Sequence, residues 1–317
     1  MSLAEDLRAN LTLPAVCAPM FLVSSPDLVA EACKAGLIGV LPRHNVRTLS
    51  DFDAWLAQVR DALDAQVDSG GPLPGPLAVN LDPRLENEDL TAHLDVCQKR
   101  GVRLVISAVG DPTSLAKRVH GMGWRHFHDV TSIRHADRAI SAGVDGLICI
   151  GSGGGGHSGT INHLALIPRV RAMFDGTIVM AGAVSSGAAI RAAEVLGADL
   201  AYLGTRFAAT QESSAPPEYK AMLVDEDLTS LRFTDAVSGV PANWLAPSLA
   251  RLGVDVDALI QERSRLPVGL ARPWRDVWSA GQGIDQITDL PTVADLVARL
   301  RREYDAACSV PKAFGSR

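Results

Sequence analysis

Short apolar or β-branched runs alternate with stretches of helical periodicity eight times along this 317-residue chain, and that alternation constrains the fold more than any other feature. The strands read as 14–19, 37–42, 77–81, 104–109, 125–130, 146–151, 177–183 and 200–205. Between them helices read over 27–36, 51–66, 86–100, 111–121, 132–143, around 166–174, and over 186–197. Gly36, Gly121, Gly143 and Gly197 stand where helix C-termini favour glycine. Such alternation implies parallel strands joined by right-handed crossovers, and eight units close a barrel. An open doubly wound sheet would carry its glycine-rich turn after the first strand. Here PMFLVSSPD follows the first strand, and the glycine-rich loop follows the sixth. The expectation is an α/β fold, a (β/α)8 TIM barrel, spanning 1–317 as one domain.

Beyond Thr205 the pattern breaks at Pro216-Pro217 and FTDAVSGVPANWL, and PTVADLVARLRREYDAA closes the chain as a helix. Residues 206–317 are therefore expected to form the last barrel helix plus an appended helical segment near the barrel mouth. SGGPLPGP (69–76) reads as a surface loop.

A formal charge of −6 and the lack of a Lys/Arg-rich stretch argue against nucleic acid as a partner. MSLAEDLRAN carries charge of both signs without an apolar core, and no apolar run is long enough to span a membrane, so a cytoplasmic protein is expected. Cys17, Cys33, Cys97, Cys149 and Cys308 are scattered and never spaced as CxxC, which favours free thiols over disulfides or a metal site.

In a barrel of this kind the functional groups come from the C-terminal strand ends and the loops after them. Those positions hold Pro19-Met20, Arg43-His44, Asn80, Gly110, His128, Gly151 to His157, Gly182-Ala183 and Gly204-Thr205. The seventh and eighth strands end in AGAVSSG and LGTRF, each leading to a helix N-terminus whose amides and dipole suit a phosphate. GSGGGGHSG (151–159) contains GxGxxG but no following Lys-Ser/Thr, so it is no Walker A loop. Ordering four successive glycines costs roughly 0.5–1 kcal/mol each relative to alanine, which a chain tolerates where something flat lies against the backbone. His157 closes that loop over the mouth, where acid/base work is assigned to it. His126 and His128 share a face of the fifth strand by the period of two, a face open to being the barrel interior, with His128 nearer the catalytic end. For these two, and for His44 and His163, packing or exposure ranks ahead of catalysis. His93, His120 and His135 read as helix-surface residues.

Taken together, Ala18-Pro19-Met20, Val79-Asn80-Leu81, Gly155-Gly156-His157, the AG of the seventh strand, LGTRF, Glu212-Ser213 and WSAGQG (278–283) resemble the nitronate monooxygenases, formerly called 2-nitropropane dioxygenases. That family of FMN-dependent barrels also includes flavin-type enoyl-ACP reductases and NADH:quinone reductases. The resemblance implies FMN as cofactor and His157 as the catalytic histidine. It implies a cofactor site made by Ala18, Pro19, Met20, Asn80, His128, Gly151, Gly155, Gly156, Gly182, Ala183, Leu203, Gly204 and Thr205. Within it Met20 and Asn80 would contact the isoalloxazine, Gly155 would lie along it, and Gly182, Ala183, Gly204 and Thr205 would bind the phosphate. Three departures stand out: Gly153-Gly154 where the family usually has Glu-Ala, Ile150 where it often has Gln, and Ala183 where it commonly has Gly. The missing Glu-Ala side chains suggest a wider pocket.

The activity so implied is oxidation of an alkyl nitronate by O2 to a carbonyl compound and nitrite. The alternatives are an NAD(P)H-dependent reductase of an enoyl thioester or quinone, and a catalytically idle flavoprotein. A homodimer is the assembly the resemblance allows.

Overall fold

The computed structural model describes residues 5–309. Eight parallel strands close into a barrel in sequence order: β1 (Ala15–Cys17), β2 (Ile38–Pro42), β3 (Leu77–Asn80), β4 (Leu104–Ser107), β5 (Arg125–Val130), β6 (Gly146–Ile150), β7 (Thr177–Ala181) and β8 (Leu200–Leu203), with β1 paired to both β2 and β8. A short α1 (Glu5–Arg8) precedes them. The crossovers are α2 (Pro26–Lys34), α3 (Leu49–Asp68), α4 (Asn87–Lys99), α5 (Thr113–Gly121), α6 (Ile133–Ser141), α7 (His163–Arg171) and α8 (Gly187–Leu196). Local chemistry starts most of these helices. Ser25, Thr48, Ser132, Asn162 and Ser186 each accept a hydrogen bond from an amide of the first turn, and Thr48 forms a full capping box with Asp51.

Two strands, β4 and β7, stop short of their expected ends where the backbone turns left-handed. Val109 (φ 60°) follows β4, and Gly182 (φ 111°) and Ala183 (φ 58°) follow β7.

Val16, Ile38, Val40, Ala78, Leu104, Ile106, Phe127, Ile148, Val179 and Leu200 pack together as the barrel interior. Because side chains alternate along a strand, Phe127 fixes the parity of β5: Arg125 and Asp129 share its inward face, and His126 and His128 point outward. The interior reading of the two histidines is thus corrected. Their Nε2 and Nδ1 atoms respectively lie 2.7 Å from the Ser107 hydroxyl, which also faces away from the interior. His93 is corrected as well: it is buried, with its Nε2 accepting from Arg43 and its Nδ1 at 2.6 Å from the Asp89 carbonyl.

The chain after β8 departs from the expected order. It makes α9 (Thr205–Ala208) and α10 (Pro217–Asp225), then an antiparallel hairpin of β9 (Leu231–Thr234) and β10 (Ala242–Leu245), then α11 (Ala246–Ala250) and α12 (Val256–Gln261). Only then does α13 (Val293–Cys308) pack against α8 and α2 and complete the helical ring. The appended segment is inserted before the last barrel helix, and it carries a hairpin as well as helices. Among the described residues no helix is long and apolar enough to cross a membrane.

Candidate active site

A cavity of about 530 Å³ opens at the C-terminal ends of the barrel strands. Its floor takes one residue from the end of each strand in turn: Ala18, Pro42, Asn80, Ala108, Asp129, Ile150, Ala181 and Tyr202. Each lies two residues beyond an inward-facing core position or continues that parity, so the period of two along each strand selects the set. Of the eight, only Asn80, Asp129 and Tyr202 are polar. Asp129 Oδ1 and the Tyr202 hydroxyl are shut away from solvent without a hydrogen-bond partner among the described residues. Burial pushes the Asp129 carboxyl up to about 7 and raises the Tyr202 phenol.

One wall is made by the loops after β7 and β8. Gly182, Ala183, Val184 and Ser185 line it from one side, Gly204 and Thr205 from the other. The amides of Gly182 and Gly204 donate to no protein group among the described residues, whereas that of Ala183 is spent on the Gly153 carbonyl at 3.0 Å. A side chain on Gly204 would meet only ordinary contacts, with Met20 Sδ nearest at 3.7 Å. Both loops run into helix N-termini as expected, at Gly187 and Thr205, but neither end is a full anion site. The Glu303 carboxylate already accepts from Gly187 N at 2.7 Å, the first amide of α8, and α9 is only four residues long. Any anion on this wall meets loop amides and the Thr205 hydroxyl.

The glycine loop forms the opposite edge of the roof. A Cβ on Gly155 would lie 2.6 Å from Gly281 N and 2.9 Å from Thr205 Oγ1. What requires glycine at 155 is therefore the protein's own chain at Ala280-Gly281 and Thr205. A Cβ on Gly153 would strike that of Ala183 at 2.8 Å, and one on Gly154 would strike Ile150 Cγ2 at 2.9 Å. The three departures noted in the sequence thus fit each other: Ala183 and Ile150 fill the space that Gly153 and Gly154 leave. The expected widening of the pocket does not follow. Asn243, buried on β10, fastens the loop by donating to the carbonyls of Ser152 (3.2 Å) and Gly154 (2.7 Å).

His157 continues this seam. Its backbone bridges Ala242, and Ser158 N donates to the Pro241 carbonyl at 3.0 Å. Its ring meets Trp274 edge-on at 5.1 Å between centroids. Trp274 is held in turn against Trp244, and its Nε1 donates to Ser279 Oγ at 3.1 Å. Its φ of 61° is a conformation that a bulky residue keeps only where its surroundings dictate it. Partial burial lowers the His157 pKa, so its imidazole is neutral at pH 7.

Among the residues singled out from sequence, Ala18, Pro19, Met20, Asn80, Gly155, Gly156, His157, Gly182, Ala183, Gly204 and Thr205 all line this cavity. His128, Gly151 and Leu203 do not. His128 is turned outward, Gly151 packs against the His163 ring, and the Leu203 side chain lies in the core between strands and helices. His163 itself is structural, with Nε2 2.8 Å from the Ala181 carbonyl. His44 stands half-exposed at the mouth, 3.9 Å from Asp82. Sequence reasoning missed Asp129 and Tyr202, although the parity of β5 and β8 carried the signal. It also missed Tyr219 and Trp274, which reach the cavity from the excursion and left no local signal, and it marked Trp278 only as part of WSAGQG without placing it at the cavity.

Comparison with known proteins agrees with this geometry. The chain is 28% identical over 236 residues to a (3aS,4S,5R,7aS)-5-hydroxy-7a-methyl-1-oxo-octahydro-1H-indene-4-carboxyl-CoA dehydrogenase of Rhodococcus jostii. That match covers 74% of this chain and 63% of the relative, so the chain spans less than two thirds of that relative's length. It is 28% identical to a nitronate monooxygenase of Paraburkholderia phytofirmans, with 96% of this chain and 95% of the relative covered. A nitroalkane oxidase from Streptomyces ansochromogenes superposes with a TM-score of 0.74 at 26% identity, over 96% of this chain and 98% of the other. The nitronate monooxygenase family model matches residues 7–303, and the chain accordingly belongs to that family of oxidoreductases.

Proposed function

We propose that the protein oxidises an alkyl nitronate to a carbonyl compound and nitrite, using FMN held in the strand-end cavity and O2 as oxidant. The observation that carries this reading is the convergence of His157, the unpartnered amides of Gly182 and Gly204, and an apolar cavity of about 530 Å³. That volume lies within the range of roughly 300–1,000 Å³ usual for cofactor and ligand sites.

The residues fit FMN. Gly182 and Gly204 amides and the Thr205 hydroxyl offer donors to one phosphate, and Met20, Asn80 and Gly155 border the space for the ring. FMN supplies the redox chemistry when bound, and the chain supplies orientation and electrostatics. His157 is neutral at pH 7 and so accepts the α-proton of a neutral nitroalkane; toward a preformed nitronate it donates a hydrogen bond instead. Trp274 against the imidazole limits its swing, and Trp278 and Tyr219, stacked at 5.3 Å between centroids, line the cavity with apolar ring surface.

The likeness to a carboxyl-CoA dehydrogenase supports a second reading, an NAD(P)H-linked flavin enzyme acting on a thioester. One experiment separates the two. The purified protein is mixed anaerobically with ethylnitronate or with NADH or NADPH, flavin absorbance is followed, and nitrite is assayed after air is admitted. Bleaching by the nitronate with nitrite release is the expected result. Bleaching by NAD(P)H alone favours the second reading, and a colourless protein overturns both. Heat release and chromatography should identify the chromophore as FMN; FAD would contradict a single phosphate cradle.

A further inference from the structure

We infer that Asp129, at the cavity floor, holds a proton in mildly acidic solution and gives it up around neutrality, and that the cavity accepts an anionic substrate only while that proton is in place. The proton assignment stands on the geometry of the floor; its consequence for substrate rests on the nitronate reading above.

Asp129 is the one carboxyl lining the cavity, and no Lys or Arg lines it among the described residues. Oδ1 has neither solvent nor a hydrogen-bond partner, and what surface the side chain keeps belongs to the cavity. Its neighbours on the floor, Ala108 after β4 and Ile150 on β6, are apolar. The titratable groups facing the same space are His44 and His157 from the loops, Tyr202 from β8 and Tyr219 from α10; Cys149 on β6 packs outward. Tyr202 and Tyr219 keep their protons far above neutrality because of burial. A carboxylate left without cation or donor in such surroundings takes up a proton, consistent with burial moving Asp129 to about 7 with no opposing charge.

An anion seated in the cavity favours the protonated acid further, and by reciprocity loss of the proton weakens the anion's binding. The sign follows. The neutral acid is present below pH 7, so anion affinity is intact there and falls as pH rises through 7. A neutral ligand of the same shape is indifferent to the change.

Propionate, a planar anion ionised throughout the range, and its neutral isostere propionamide serve as unreactive probes. Their binding to the holoprotein is read from the change in intrinsic tryptophan fluorescence, to which the cavity residues Trp274 and Trp278 contribute. In the wild type the propionate Kd should rise about 100-fold from pH 6 to pH 9, as the competent fraction falls, while the propionamide Kd stays level. In Asp129→Asn the propionate Kd should stay near its pH 6 value throughout. The infrared band of a protonated carboxyl, present at pH 6, lost at pH 9 and absent from Asp129→Asn, reads the proton without any ligand. A missing band at pH 6 overturns the proton assignment. A level wild-type propionate profile, no propionate binding at pH 6, or a pH dependence that persists in Asp129→Asn overturns the gating. Gating that holds in a protein unable to turn over nitronates would count against the nitronate reading alone.

Discussion

The floor of the cavity takes one side chain from each barrel strand, whereas its roof is made where the glycine loop meets residues 242–283 of the excursion. The floor is held by parallel ladders on both sides of every strand, so its side chains are aimed by the pleat alone. The roof is held by close backbone contacts and two polar side chains: Gly153 O accepts from both Ala183 N and Gln282 N at 3.0 Å, Thr205 Oγ1 accepts from Gly281 N at 2.9 Å, and Asn243 donates to Gly154 O at 2.7 Å. The difference teaches where each kind of chemistry can be placed. Groups that must stay buried and fixed, such as Asp129 and Tyr202, sit below. The imidazole of His157, which meets incoming substrate on the proposed function, sits above on a loop with its own clamp.

The largest effect should come from the roof. His157→Ala should lower nitrite release from a neutral nitroalkane by a factor of about 10²–10⁴, and lower it less with a preformed nitronate, at unchanged flavin content. Equal losses on both substrates would show that the roof histidine is not a base. Next comes the rim where roof meets floor. Gly204→Asp should fold, since φ is −105° and a Cβ there has room. It should weaken FMN binding by at least about tenfold, through like-charge repulsion and crowding at the phosphate position. Unchanged flavin-to-protein ratio after dialysis would remove this wall from the cofactor site.

The seam itself offers a finer contrast between neighbours. Gly155→Ala should destabilise the protein by about 1–3 kcal/mol in urea unfolding, because Gly281 N leaves no space for a methyl group. Gly156→Ala should change stability by less than about 0.5 kcal/mol, since nothing lies within 4 Å of the added Cβ. If the two variants behaved alike, the roof would not be the rigid backbone junction described here.

How much of this was legible in the sequence divides along the same line. All eight strands and seven crossover helices were visible, because each is written in a local period and marked by Ser, Thr, Asn or Gly at its ends. The cavity residues Met20, Asn80, Gly182 and Gly204 were visible as strand ends. The face shared by His126 and His128 was left open to being the interior, because a strand's period says which residues share a face without saying which face is inside. Phe127 packed among Val16, Ile106 and Ile148 settles that, and it promotes Asp129 in their place.

The sequence by itself determined the barrel, its strand ends and the loop that carries His157, since these depend on residue patterns a few positions long. Tertiary structure alone decided the rest. It set the inward parity of β5, and it set the occupation of the α8 N-terminus by Glu303, 116 residues away. It fitted Ala183 and Ile150 into the space left by Gly153 and Gly154. It placed Trp274 against His157. Apart from Ile150 against Gly154, each is a contact between segments far apart in the chain, and such contacts exist only once the barrel has closed and the excursion has folded back across its mouth.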